Sequence, residues 1–203
     1  NINFVASFNI FSFFGCKVYL AEVDEITGQV TPETISDCIK KNKIKKLKFF
    51  VTMPLGGLAI NIDGFYKIKK KFKSYWMEDN CHALGSCFDF NKRIEKSGSC
   101  KFSDFSIFSF HPIKAITTFE GGCINFKNKN LFEKAKLLRS HGIIKKKNYW
   151  DYDVILNGFN FRLNDVSASV GISQIKRLNK FLKKRKKIAE LYFKFLKNNK
   201  FIK

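Results

Sequence analysis

The sequence predicts an α/β fold: a mostly parallel sheet flanked by helices. Short segments rich in Phe, Val, Ile and Met alternate with amphipathic, cap-bounded segments as far as Asp79. The connections between successive strands are long enough to hold a helix, as parallel pairing requires. A length of 203 residues with 45% hydrophobic content supplies one packed core.

Taken in order, residues 5–14 are apolar enough for a buried helix, which Gly15 stops, and residues 17–23 read as a strand. The whole stretch 4–20 raises a membrane question. Ser7, Asn9, Ser12 and Lys17 interrupt it and it falls short of a span, so helix then strand is the expected outcome. Thr31-Pro32-Glu33 starts a helix, with Thr as N-cap and Pro in the first turn, running to about Lys41. Residues 46–53 form the next strand and Pro54 to Gly57 a turn. Residues 63–73 form an amphipathic helix with Phe65, Ile68 and Phe72 on its apolar side, and residues 74–77 a short strand ending at Glu78-Asp79.

Further on, the aromatic run Phe105 to Phe110 reads as a buried strand that ends at His111-Pro112. Gly121-Gly122 makes a tight turn into a strand over residues 123–126. A helix follows over residues 130–140, closed by His141-Gly142. Residues 143–157 read as a mixed basic and aromatic loop and residues 158–162 as an irregular segment. Asn164-Asp165 then starts a helix through Ile175, and a lysine-rich helix continues to about Lys197.

The formal charge of +21 invites a nucleic-acid or anionic-surface partner. The lysines, however, fall in runs (40–48, 67–73, 145–147, 180–187) on expected surface helices and loops, and arginine is scarce. A solvated surface, with neither nucleic acid nor membrane as partner, is the favoured reading; a basic nucleic-acid-binding protein is the rival from a different class. The six cysteines have no CxxC spacing and there are three histidines, so no metal site is expected. No signal peptide is visible, and the thiols read as reduced in a cytoplasmic protein.

The chemistry concentrates at strand ends, where ligands of parallel sheets bind. Lys114 stands among Ile113, Ala115 and Ile116. An amine in apolar company loses solvation of its charged form, which favours the free, nucleophilic amine; the plain alternative is a lysine that snorkels from a strand end. Asp79 closes another strand. A lysine and a carboxylate at two strand ends are what pyridoxal phosphate needs, one to hold its aldehyde and one to keep its pyridine nitrogen protonated. Ser109 offers a hydroxyl nearby for the phosphate.

These residues lie in runs that resemble a known family. Glu78-Asp79-Asn80-Cys81-His82-Ala83-Leu84-Gly85 and Ser109-Phe110-His111-Pro112-Ile113-Lys114, followed by Thr117-Thr118-Phe119-Glu120-Gly121-Gly122, are similar to the DegT/DnrJ/StrS sugar aminotransferases. Leu138-Arg139-Ser140-His141-Gly142, the stretch from Asn160 to Asp165, and Val170-Gly171-Ile172-Ser173-Gln174 extend the resemblance. It implies a fold-type I pyridoxal 5'-phosphate enzyme, with Lys114 as catalytic Schiff-base lysine and proton shuttle and Asp79 on the pyridine nitrogen. It places His82 near the phenolic oxygen, Ser109 on the phosphate, and Asn160 reaching the phosphate in the neighbouring subunit of a homodimer with shared active sites. Without the resemblance, His82 and His111 read equally well as packed or capping histidines, and Asn160 as a cap.

The combination most resembles the branch that aminates the 4-keto group of a UDP-linked 4-keto-6-deoxy-N-acetyl-hexosamine for a pseudaminic-acid-type sugar, with glutamate as amino donor. Alternatives are another nucleotide ketosugar (a perosamine, legionaminic acid or aminoarabinose precursor) or an inactive fragment. The dehydratase branch carries histidine in place of the lysine. The resemblance also implies an internal piece of a longer enzyme: residues 1–180 as part of the large cofactor domain, and residues 181–203 as a helix leading to a small C-terminal domain.

Overall fold

The computed structural model describes residues 2–148 and 150–199. Tyr149, inside the expected basic loop, and positions 200–203, at the end of the expected last segment, lie outside the described residues. The centre is a four-stranded sheet in the order β1-β2-β5-β6, where β1 is Phe49–Thr52, β2 Tyr75–Asp79, β5 Phe105–Ser109 and β6 Gly122–Phe126. β1, β2 and β5 run parallel, with Val51 opposite Met77 and Met77 opposite Phe105. β6 returns antiparallel, with Ser109 opposite Gly122. Two hairpins lie outside it: β3 (Cys87–Phe90) with β4 (Arg93–Lys96), and β7 (Ile143–Lys145) with β8 (Tyr152–Val154).

Alternation along the strands sends Phe50, Thr52, Trp76, Glu78, Ser106 and Phe108 to one face of the sheet. Helices α2 (Pro32–Lys41) and α3 (Ile62–Phe72) cover it, and Ile35, Ile39, Phe50, Ile62, Phe65, Ile68, Trp76 and Phe88 form a single buried cluster. Trp76 is fully buried; its ring stacks on Phe50 at 5.8 Å between centroids, and its Nε1–H donates to Thr52 Oγ1 at 2.9 Å. Asp104 ties the layers together. One oxygen pairs with Lys69 Nζ of α3 at 2.7 Å and the other accepts the Trp76 N–H at 2.9 Å. The start of α2 is the expected one: Thr31 and Thr34 form a reciprocal capping box, with Pro32 in the first turn.

The other face carries a row of rings, Phe49, Tyr75, Phe105 and Phe126, with centroids about 6 Å apart along the row. Helix α1 (Ala6–Phe13) lies here and sets Phe11 on Phe49 at 4.8 Å. The helix occurs where the sequence predicts it, and Gly15, at φ +70, closes it, its N–H donating to the Ser12 carbonyl at 2.9 Å. It is not buried, however: none of its residues is, and Phe13 is 80% exposed, because a single ring of the helix reaches the row beneath.

Two further expectations change, and one hairpin occurs where none was expected. Residues 17–23 form no strand and join no ladder, since pattern alone does not choose a strand's partner. The expected loop at 143–157 contains the β7–β8 hairpin. The β3–β4 hairpin, four residues a strand, carries too little alternation to announce itself. After β6, α4 (Lys129–Arg139) begins at Asn128, whose side chain accepts two backbone N–H groups; α5 (Asp165–Lys176) is capped by Asn164. Helix α6 (Leu178–Leu196) leaves Lys180, Lys183, Lys184 and Lys187 exposed. Among the described residues no helix is long and apolar enough to cross a membrane. All six cysteines are free.

Candidate active site

The carboxyl ends of β2 and β5 are neighbours, so the fold itself brings together the residues at and just past the two strand ends. Asp79, the last residue of β2, is 5% exposed. Its Oδ1 accepts the Cys81 N–H at 3.2 Å, a turn the aspartate makes with its own chain, and its Oδ2 accepts the Ser7 hydroxyl at 3.2 Å from the first turn of α1. Among the described residues no cation pairs with it. A buried carboxylate held by neutral donors and lacking a cation is a socket for a cationic N–H.

Lys114 comes after β5 in a loop fixed at both ends. Thr118 N–H and Thr117 Oγ1 both bond the Phe110 carbonyl, at 2.9 and 3.0 Å, and the Lys114 N–H bonds the His111 carbonyl at 2.9 Å. Ile116 and Thr118, 3% and 2% exposed, anchor the loop, while Lys114 itself is half-buried. Arg185 of α6 donates to the Lys114 carbonyl at 3.1 Å. The glycine pair lets the loop rejoin the sheet. Gly121 holds φ +138, and a Cβ on Gly122 would stand 2.4 Å from the Phe108 carbonyl oxygen.

Electrostatics place these groups within reach of one another. Burial, then the Asp79 carboxylate, push the Cys81 thiol up to about 12, partly offset by the Lys114 charge and a Ser109 N–H. Burial and the Lys114 charge hold His82 below the usual imidazole range, against the opposite pull of Asp79. Asp79, Cys81, His82, Ser109 and Lys114 therefore share one locality. Ser109 is half-buried at the end of β5, and its Oγ accepts the His111 N–H at 3.3 Å. His82 is exposed, on a turn packed against Gly57, where a Cβ would stand 3.0 Å from the His82 carbonyl oxygen. Asn160 stands on a different segment. It is exposed and bridged to Ser140, with Phe159 and Phe161 donating to the carbonyls of Leu138 and Arg139.

Two neighbours of Asp79 escaped the sequence reading. Cys81 could have been found there, lying two residues on in a turn. Ser7 could not, because 72 residues separate it from its partner.

Residues 1–203 match the DegT/DnrJ/EryC1/StrS aminotransferase family throughout. The chain belongs to this family. It is 39% identical over 201 residues to a UDP-4-amino-4,6-dideoxy-N-acetyl-beta-L-altrosamine transaminase of Campylobacter jejuni subsp. jejuni serotype O:23/36 (strain 81-176), a match that covers 98% of this chain and 51% of that protein. It superposes with a TM-score of 0.86 and 33% identity on Helicobacter pylori PseC, an aminotransferase involved in the biosynthesis of pseudoaminic acid, over 98% of this chain and 50% of that one. The aminotransferase TlmJ from Streptoalloteichus hindustanus gives 0.85 at 26% identity, over 97% of this chain and 50% of that one. The fold is that of these aminotransferases, and the chain spans about half the length of the curated relatives it matches.

Proposed function

We propose that this chain is the cofactor-holding part of a pyridoxal 5'-phosphate-dependent aminotransferase that acts on a nucleotide sugar. The observation that carries the reading is Asp79, a buried carboxylate that no cation pairs with among the described residues, at the end of the strand next to the one that leads to Lys114, with both charges felt at Cys81 and His82. When bound, pyridoxal phosphate supplies an aldehyde that condenses with amines and a pyridinium ring that accepts the electron pair left on deprotonation. The residues present suit that group. Asp79 would hold a proton on the ring nitrogen, Ser109 would offer its hydroxyl to the phosphate, and His82, its pKa lowered by burial and the Lys114 charge, would bond the ring's phenolic oxygen. Lys114 Nζ takes a proton from the carbon of the amino donor and returns one to the sugar C4. Across the two half-reactions the amino group and a hydrogen pass from donor to sugar; one water is consumed in making the donor's carbonyl and one is released from the sugar ketone, so the exchange balances.

The named relatives support a UDP-linked 4-keto-6-deoxy-N-acetyl-hexosamine as acceptor, for a pseudaminic-acid-type sugar, and family resemblance supports glutamate as donor. The same proposal includes a cytoplasmic homodimer in which Asn160 reaches the phosphate of the partner's site, residues 1–180 as part of the large domain, and residues 181–203 as the lead into a small domain. The full-length protein loaded with cofactor is expected to show a visible absorption band that Lys114→Ala abolishes. It is also expected to aminate the UDP-linked 4-ketosugar with glutamate. A colourless wild type after incubation with cofactor would overturn the reading; preference for another nucleotide ketosugar would overturn the substrate alone.

A further inference from the structure

Helix α1 starts without the usual aids. Val5 makes no side-chain cap, and no acidic residue lies in the first turn. The anion that this turn lacks comes from Asp79, 72 residues away, through the Ser7 Oγ–Asp79 Oδ2 hydrogen bond. A serine inside a helix commonly bonds back to its own preceding turn; Ser7 instead spends its hydroxyl on a buried carboxylate. The second oxygen is held by the Cys81 N–H. Asp79 is thus gripped from two directions, by its own turn and by a separate helix, and both grips are neutral donors.

We propose that Ser7 is a positioning residue for Asp79: its hydroxyl fixes the carboxylate rotamer that meets a cationic ring N–H. The inference rests on the cofactor reading above. A carboxylate held at one oxygen alone can turn about its side-chain bonds, and each alternative orientation weakens a directional, charge-assisted contact. The helix that carries Ser7 is itself seated by Phe11 on Phe49, so the hydroxyl is delivered by packing on the ring-bearing face of the sheet. That face is also the one on which Asp79 lies, since it shares register parity with Tyr75 and Met77.

The test uses the full-length protein and four variants: Ser7→Ala, Ser7→Thr, Asp79→Asn and the Ser7→Ala/Asp79→Asn double. The readouts are the dissociation constant for pyridoxal phosphate and the pH midpoint of the visible band, with the melting curve of the cofactor-free protein taken in parallel. Ser7→Ala is expected to weaken cofactor retention by roughly tenfold, the factor carried by a hydrogen bond to a charged group, and to move the pH midpoint. Ser7→Thr, which keeps the hydroxyl, is expected to restore both. In the Asp79→Asn background the alanine change is expected to add less than about twofold, because its effect passes through the carboxylate. If Ser7→Ala melts early, Ser7→Cys, of similar size but a weak donor, carries the same test. Wild-type retention and an unmoved midpoint in Ser7→Ala, with the band still lost in Lys114→Ala, would overturn the role of Ser7 and leave the cofactor reading standing. An equal loss in both backgrounds would also overturn it. A wild type that binds no pyridoxal phosphate would overturn both.

Discussion

The guanidinium of Arg185 donates to the carbonyl of Lys114 at 3.1 Å, so α6 reaches back across 71 residues to hold the loop that carries this lysine. The contact is to the main chain and does not involve the lysine side chain. The bond is exposed, and Arg185→Met is expected to cost no more than about 1 kcal/mol of stability. The loop is another matter: amide exchange of Lys114 and Ala115 should quicken while exchange in β5 stays as it was. Unchanged exchange at both positions would mean that the bond does not restrain the loop.

Trp76 is the largest fully buried side chain, wedged between Phe50 and Phe65 with its N–H on Thr52. Trp76→Ala is expected to cost about 3–5 kcal/mol through the cavity it leaves. Thr52→Val keeps the volume but strands a buried indole N–H, at about 1–3 kcal/mol. Denaturant midpoints at constant slope would read both, and a neutral Thr52→Val would show that water takes over the N–H.

Glu78 is buried on the core side of β2, where burial raises its carboxyl above the usual 4.5 while a hydrogen bond from Ser103 Oγ at 2.6 Å pulls the other way. The native state therefore binds the proton more tightly than the unfolded chain. Stability from this group is fully present below 4.5, where both states are protonated, and falls as pH rises towards the native value. Glu78→Gln keeps an acceptor for Ser103 and carries no charge. It is expected to flatten that fall, so that the variant gains on wild type as pH rises; unfolding curves across a pH series would show parallel lines if the idea is wrong.

Cys81 lies against Asp79 with its thiol pushed up to about 12. At neutral pH it is expected to resist iodoacetamide, whereas the exposed Cys16 and Cys87 are modified. Mass spectrometry of digests would read the order, and all should react alike once the chain is unfolded. Rapid native labelling of Cys81 would contradict the burial of this corner.

Gly122 pairs with Ser109 at the start of β6, where an added methyl would meet the Phe108 carbonyl at 2.4 Å. Because the obstacle is backbone, the strand must shift, and Gly122→Ala is expected to cost about 1–3 kcal/mol. The shift also disturbs the end of the Lys114 loop, so loss of the cofactor band should exceed what the stability change alone explains.

Much of the architecture was legible because it is written in local terms. Thr31-Pro32 announces a helix start through capping geometry, and Gly15 a helix end through its positive φ. The run Phe105 to Phe110 announces a strand through its composition. The positions of Asp79 and Lys114 were legible for the same reason: the strand pattern puts each at or just past a strand end. Pairing and coverage were not legible, because they depend on which distant surfaces meet. The antiparallel return of β6, the hairpins β3–β4 and β7–β8, the exposure of α1 and the unpaired run at 17–23 all result from such meetings. The sequence by itself determined the helices, the strands of the central sheet and the place of the lysine and the carboxylate at two strand ends. Only the tertiary structure decided that the carboxylate is buried, pairs with no cation among the described residues and is gripped by Ser7, since a hydrogen bond across 72 residues is a property of packed helices and strands and leaves no trace in local pattern.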